Sequence, residues 1–333
     1  AGILDIKTNI LPNADALFLT AIDSYGHELW RWTFPVNKLN QQTEQLSPLS
    51  SRPTYTETEN DLTVKANKRA FIFSKKDGQL KGVSVDNRKI NFANGPRFIG
   101  ARRADRSLDQ FYNHDDEKAK EKDRTYSEFP DAAVFTKLDV KEDGGNLVVT
   151  ANYKLGNLDK AQWTINPSGE LALDYTYNFS GVVDLMGICF DYPEDQVISK
   201  RWLGAGPYRV WQNRIHGTQY DVWENDYNDP IPGETFTYPE FKGYFADVSW
   251  MNIQTKEGTI NLTNETPDAY IGVYQPRDGR DRLLYTLPES GISVLNVIPP
   301  VRNKVNSTDL CGPSSQPKWV NGPQTGRVIF RFM

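Results

Sequence analysis

The sequence predicts an all-β protein built as a sandwich. Three observations carry this. Most segments alternate apolar and polar residues with a period of two and are rich in Val, Ile, Thr, Tyr and Phe. Gly, Asn, Asp and Pro punctuate them at regular intervals, as turns between strands require. Helix signals are scarce. Many short strands at even spacing imply two packed sheets.

In chain order, Ala16–Ile22 and Glu28–Phe34 flank the turn Asp23-Ser-Tyr-Gly and predict a hairpin. A lone hairpin does not hold an independent fold, so these strands belong to a domain that begins earlier or pack on the main body. Trp30 and Trp32 point to one strand face, Leu29 and Arg31 to the other. Without a partner, that face is an exposed apolar patch. Asn37–Arg52, rich in Gln, Ser, Leu and Pro, has no strand period and predicts a linker. Strands follow at Leu62–Ala66, Ala70–Ser74 and Leu80–Val85, with a turn at Lys76-Asp-Gly. Leu108–Asp131 breaks the rhythm with the charged run Asp115–Arg124, read as a surface excursion or a loop covering a site. Strands resume at Leu147–Tyr153 after Glu142-Asp-Gly-Gly and at Leu171–Tyr177 after Pro167-Ser-Gly. Another turn stands at Lys256-Glu-Gly, and Val328–Phe332 closes the series.

Composition narrows the function. The 333 residues carry 38 Lys+Arg against 43 Asp+Glu, a net charge of −5. A surface that tracks phosphates needs clustered surplus cations, so the sequence argues against a nucleic-acid partner. No apolar run approaches the roughly 18 residues of a membrane helix. Ala1–Asp5 show neither the basic nor the apolar region of a signal peptide, which leaves a bacterial-type periplasmic or cytoplasmic location open.

The two cysteines do not make a disulfide framework. Cys189, in an apolar strand, is expected to be a buried thiol. Cys311 sits in a Gly-Pro loop, and pairing between the two stays open. His27, His114 and His216 are dispersed, and no Cys or His has zinc-ligand spacing. The nucleophile-elbow, P-loop and dinucleotide glycine patterns are all absent from the sequence.

Tyr208 to Tyr227 is the segment with the most binding chemistry. Tyr208, Trp211, Tyr220 and Trp223 alternate with Arg209, Arg214, His216 and Glu224. Sugars are held by aromatic faces stacked on C–H surfaces and by planar polar groups bonded to hydroxyls. The same pattern also fits aromatics alternating into a sandwich core with polar residues facing water. Asp221, Glu224, Asp226 and Asp229 form a weak candidate calcium site, at spacings unlike an EF-hand, with turn chemistry before Pro230 and Pro232 as the other reading. His216 with Glu224 or Glu240 is the local pair that an epimerase needs as acid and base.

Two stretches resemble family 2 glycoside hydrolases of the β-galactosidase type over about residues 58–333. The first is Asn67–Val83, a strand, a polar Gly turn and a strand beginning with Leu. The second joins Arg201-Trp-Leu-Gly-Ala-Gly-Pro, Trp211-Gln-Asn-Arg and Tyr238-Pro-Glu-Phe-Lys-Gly. The family positions fall on Gly204, Gly206, Pro207, Trp211, Arg214, Pro239, Glu240 and Gly243. The resemblance implies a galactose mutarotase-like supersandwich over 58–333. It also implies the terminal strands of an immunoglobulin-like domain over 1–40 and a linker over 41–57. It places the catalytic Glu residues on a separate barrel, so this region is non-catalytic, with no cofactor. The barrel and a galactoside or plant-type glycan are its implied partners. Arg209 and Asn213 stand where the family has acidic residues, and Phe98–Arg106 keeps little of the family's Arg-Ala-Pro-x-Asp-Asn-Asp run. Cys311 takes the place of a Trp on a loop that enters the sugar site, and Trp319 is its candidate substitute. A self-standing carbohydrate-binding sandwich and a mutarotase-like epimerase are the alternative readings.

Overall fold

The computed structural model describes residues 3, 14–36, 51–103, 126–225, 243–273, 290–300 and 312–333. The chain divides into two compact units, Ala1–Pro48 and Leu49–Met333. In the first, β1 (Ala16–Ile22) pairs antiparallel with β2 (Glu28–Pro35), as the alternation predicts. Asp23 Oδ1 accepts the backbone N–H groups of Tyr25 and His27, each at 2.8 Å, which fixes the turn. Trp30 and Trp32 are 48% and 44% exposed, and Phe18 and Phe34 are also exposed.

The second unit begins with β3 (Thr54–Glu57), β4 (Asp61–Ala66), β5 (Arg69–Ser74), β6 (Leu80–Val85), β7 (Arg88–Ile90), β8 (Ala93–Arg103) and β9 (Tyr126–Glu128). It continues with β10 (Val134–Asp143), β11 (Asn146–Lys154), β12 (Leu158–Ile165), β13 (Leu171–Val183), β14 (Leu185–Asp191), β15 (Val197–Gly206) and β16 (Gln219–Asn225). The remaining strands are β17 (Trp250–Thr255), β18 (Gly258–Asn264), β19 (Tyr270–Val273), β20 (Ile292–Val297) and β21 (Lys318–Phe332). One sheet has nine strands in the order β10-β11-β12-β13-β21-β18-β17-β15-β16. The other has ten, in the order β19-β20-β14-β8-β6-β5-β4-β3, with β7 beside β6 and β9 beside β8. The protein is therefore all-β, and its main body is a supersandwich.

Strand burial follows the sequence pattern. Leu62, Val64 and Ala66 of β4 point into the core, as do Leu171, Leu173, Tyr175, Tyr177 and Phe179 of β13. β14 differs: its first six residues are all buried, because Met186, Ile188 and Phe190 face the main core and Leu185 and Cys189 face a second apolar cluster on the other side. The two sheets meet over aromatic rings. Trp163 lies 5.9 Å from Phe73 and 6.0 Å from Phe190, and Phe92 stacks on Phe190 at 4.7 Å. Cross-sheet polar ties frame this core. Arg69 donates from Nε to the Phe332 carbonyl at 2.6 Å, and Asn91 N–H donates to Glu257 at 2.9 Å. The β10–β11 hairpin turns on Gly144 and Gly145, at φ +58° and +91°. This is the double positive-φ turn that matches strand twist.

Two expectations need adjustment. Thr54–Glu57, read as the end of the linker, forms edge strand β3, because its backbone pairs with Leu62–Lys65. Tyr126–Glu128, read within the charged excursion, pairs with Ala101–Arg103. The rest of that excursion, His114 and Asp115–Arg124 included, and linker residues 37–50 lie outside the described residues. Cys189 is a free, buried thiol, and Cys311 lies outside the described residues.

Candidate functional site

The glycine-proline element ends β15, and the edge strand β16 folds back against it. Their register places Trp202 opposite Trp223 and Gly206 opposite Gln219. The Trp223 indole runs back along its own strand and donates from Nε1 to the Gln219 carbonyl at 3.1 Å. It therefore covers Gly206, where an added Cβ would lie 2.4 Å from Cδ1 of the indole. At Gly204 a Cβ would sit 3.0 Å from the Val248 backbone, and at Gly243 it would sit 2.8 Å from the Val210 carbonyl. The glycines serve close approach of an indole and of two backbone segments. The Gly206–Pro207 peptide bond is cis.

After Pro207 the chain crosses the end of the sandwich. Val210 exchanges backbone hydrogen bonds with Tyr244, at 2.7 and 2.9 Å, and Gln212 N–H donates to the Pro299 carbonyl at 3.1 Å. Trp211 and Arg214 close a tight turn, with Arg214 N–H donating to the Trp211 carbonyl at 2.8 Å. The Gln212 carboxamide then makes the most consequential contact. Its Nε2 donates to the carbonyls of Ser314 and Gln316, at 2.9 and 2.7 Å. Asn213 Nδ2 adds a bond to Ser315 Oγ at 3.1 Å. One side-chain amide thus holds the middle and the C-terminal cap of a 3₁₀ turn, Pro313–Ser315, about a hundred residues away in sequence.

The nine sequence candidates divide by burial. Trp211 is 3% exposed and meets Tyr244 edge-on at 5.5 Å, so its ring serves the core. Trp223 packs against the core from the edge strand. Tyr220 is part-buried, and its hydroxyl is 2.6 Å from Ser249 Oγ. Arg209 is half-buried, with its guanidinium 5.1 Å over the Phe245 ring. Arg214, His216 and Glu224 are exposed. Tyr208 is 66% exposed and Trp319 is 71% exposed. The alternating aromatics thus separate into core rings and two open platforms.

The other chemistry weighed from sequence lies only partly within the described residues. Asp221 and Glu224 are three residues apart on β16 and so point to opposite sheet faces. Asp226 and Asp229 lie outside the described residues, among which no group of three His, Cys, Asp or Glu could hold a metal ion. His216 precedes β16, and Glu224 sits near its far end, about 17 Å along from Gln219. Glu240 is outside the described residues. Cys189 has its Sγ 3.7 Å from Arg97, yet burial outweighs that cation and pushes the thiol up to about 11. It is an inert core thiol. The Gln212 clamp is the feature sequence reasoning missed, since nothing local couples residue 212 to 314–316.

The model of the β-galactosidase small chain family matches residues 65–299, most of the sandwich. The chain belongs to that family. The glycine-proline element and the turn at Trp211 lie within the matched residues, and the clamp's partners Ser314–Gln316 lie beyond them. No curated protein sequence matches the chain. Solved structures similar to it include a galactose 1-epimerase from Lactobacillus acidophilus, at 10% identity and a TM-score of 0.40, covering 85% of this chain and 99% of that one. Another is an aldose epimerase homologue from C. elegans, at 7% identity and a TM-score of 0.40, covering 84% and 99%. Among the described residues, no helix is long and apolar enough to cross a membrane.

Proposed function

We propose that this chain is the non-catalytic C-terminal region of a β-galactosidase-like glycoside hydrolase of family 2. In this reading the sandwich buttresses a catalytic barrel and presents a loop to its sugar site. The hairpin of β1 and β2 is then the end of an immunoglobulin-like domain, and the segment after it is the linker. The Gln212 clamp carries the reading. It fastens the segment that bears the family's glycine-proline element to Ser314 and Gln316, in and just after the Gly-Pro-Ser stretch that the resemblance places directly after the Cys311 position of the barrel-facing loop. A part whose role is to place a loop for another domain needs such an anchor at the loop's root.

A second reading, a self-standing carbohydrate-binding sandwich, is favoured by the exposure of Tyr208 and Trp319. One pair of measurements separates the two. The chain is assayed on p-nitrophenyl β-galactoside and titrated with small galactosides by calorimetry. Silence in both supports the buttress, and galactoside binding without hydrolysis supports the binding module. Turnover overturns the non-catalytic assignment, because hydrolysis requires a working carboxylate pair inside this chain.

A further inference from the structure

The outer face of the nine-stranded sheet is built unlike a generic solvated surface where β13 meets β21. These strands pair over their whole length, from Leu171 opposite Phe330 to Val183 opposite Lys318. Residues that alternate with the core set Leu173, Tyr175, Tyr177 and Phe179 face outward. From Thr176–Thr325 to Val182–Trp319 these outward positions contain no ionisable side chain. Apart from Pro323 within the row and the Val182–Trp319 pair at its end, they are hydroxyls and carboxamides, in a chain where 24% of residues are charged. Ser180 Oγ donates to Asn321 Oδ1 at 2.6 Å, directly across the pair, and Asn178 is tied to Asp159. Polar groups on this ribbon are thus held in place in advance.

Each end of the ribbon carries a different recognition element. At one end stands Trp319, the most exposed of the eight tryptophans. At the other end is a cleft of about 310 Å³ lined by Lys160, Asp174, Glu265 and Arg327, among others. Arg327 is pinned there by Asp174 at 2.5 Å and Glu265 at 2.9 Å, so the cleft offers oriented donors and acceptors with its charges balanced. Eight residues of strand, about 26 Å, separate Trp319 from Arg327.

We propose that this ribbon is a binding site for an extended, uncharged oligosaccharide. One sugar unit stacks on Trp319, the hydroxyl-rich middle follows the Ser180–Asn321 row, and the far end is hydrogen-bonded in the Arg327 cleft. The outward positions of the ribbon itself carry no charge to attract a polyanion or a cationic peptide, and Asp159, Asp174, Glu265 and Arg327 at its margin are already bonded within the protein. An aromatic face beside planar polar groups is the chemistry that holds pyranose rings. The proposal rests on the carbohydrate reading above, but not on the Tyr208–Trp223 segment; Trp319 itself stands on β21, three residues after the clamped Gln316.

The test is calorimetric titration of the full chain with a ladder of neutral galactan oligosaccharides of increasing length. Affinity should rise with length until the ligand spans the track, and then level off. Trp319→Ala should weaken the long oligosaccharides about tenfold and flatten the length dependence, an effect of ~1.4 kcal/mol of ring contact. Trp319→Tyr should retain most of the binding, and Tyr55→Ala, on edge strand β3 of the other sheet, should leave it unchanged. The proposal is overturned by affinity that does not depend on length, or by a Trp319→Ala chain that binds as the unaltered one does. Loss of binding in Tyr208→Ala alone also overturns it and moves the carbohydrate site to the other segment. Turnover of the p-nitrophenyl substrate would instead remove the buttress reading and leave this ribbon standing.

Discussion

Adding one methyl group at Gly206 should damage the sandwich only while Trp223 is present. The new Cβ would lie 2.4 to 2.6 Å from three atoms of the indole, well inside the 3.4 Å at which ordinary contact begins. The ring must swing outward, and its bond to the Gln219 carbonyl is lost. Overpacking costs about 1–3 kcal/mol and the lost hydrogen bond about 0.5–1.5 kcal/mol. Gly206→Ala should therefore destabilise by roughly 2–3 kcal/mol. Trp223→Ala alone removes a half-buried ring and should cost about 2 kcal/mol. In the double variant the added methyl occupies space the indole has vacated. The combined cost should stay near 2 kcal/mol, a coupling of about 2 kcal/mol between the sites. Urea unfolding of the four chains, read by midpoint at constant slope, measures this directly. Costs that add in the double variant, to 4 kcal/mol or more, would refute the claim that the glycine exists for the indole.

Other expectations follow from the same geometry. Gln212→Glu replaces the donor to Ser314 and Gln316 with an acceptor, so amide exchange at Gly312–Trp319 should accelerate at least tenfold, while strand amides in β4–β6 keep their protection. Trp163→Ala should cost about 3–5 kcal/mol in the same unfolding assay. Trp163→Phe should cost much less, because it keeps ring contact with Phe73 and Phe190 and removes a buried indole N–H that has no partner. Cys189 should resist a thiol reagent at pH 8 in the native chain and react once urea unfolds it. Its native thiol titrates near 11 against an ordinary value of 9.0, so the folded state holds the proton more tightly. The associated stability is whole below about pH 9 and declines as pH rises from there to about 11, and Cys189→Ala should flatten that decline.

Much of the fold was legible because a half-buried strand writes its environment into every second residue. Leu147–Tyr153 and Leu171–Tyr177 are strands where the alternation places them, and the Gly144-Gly145 turn falls between β10 and β11. β3 was less legible. Its four residues are all exposed, so they carry no apolar signal, and only backbone pairing with β4 reveals them. The candidate site was legible as a segment but not as a geometry. Tyr208, Trp211, Tyr220 and Trp223 look equivalent in sequence, yet two rings serve the core and Tyr208 stands open to solvent. What separates them is the turn at Trp211 and the register of β15 with β16, both set by contacts with Tyr244, Pro299 and Gly206. The Gln212 clamp and the Trp319 ribbon depend on partners a hundred or more residues distant, beyond any local pattern.

The placement of β21 has a consequence for how the protein is made. It follows every other strand in the chain, yet it lies in the interior of the nine-stranded sheet, joining β13 to β18. During translation the β10–β13 block and the β15–β18 block emerge first, each with an unsatisfied edge and an uncovered apolar face. Neither can be sealed until Phe330 and Phe332 leave the ribosome and reach the rings of Phe92 and Phe71. Ribosomes adding about 5–20 residues per second would hold those blocks open for seconds. A frameshift within the fifteen residues of β21 would accordingly do more than shorten the protein. It would leave two half-sheets with no seam, a substrate for chaperones and proteases.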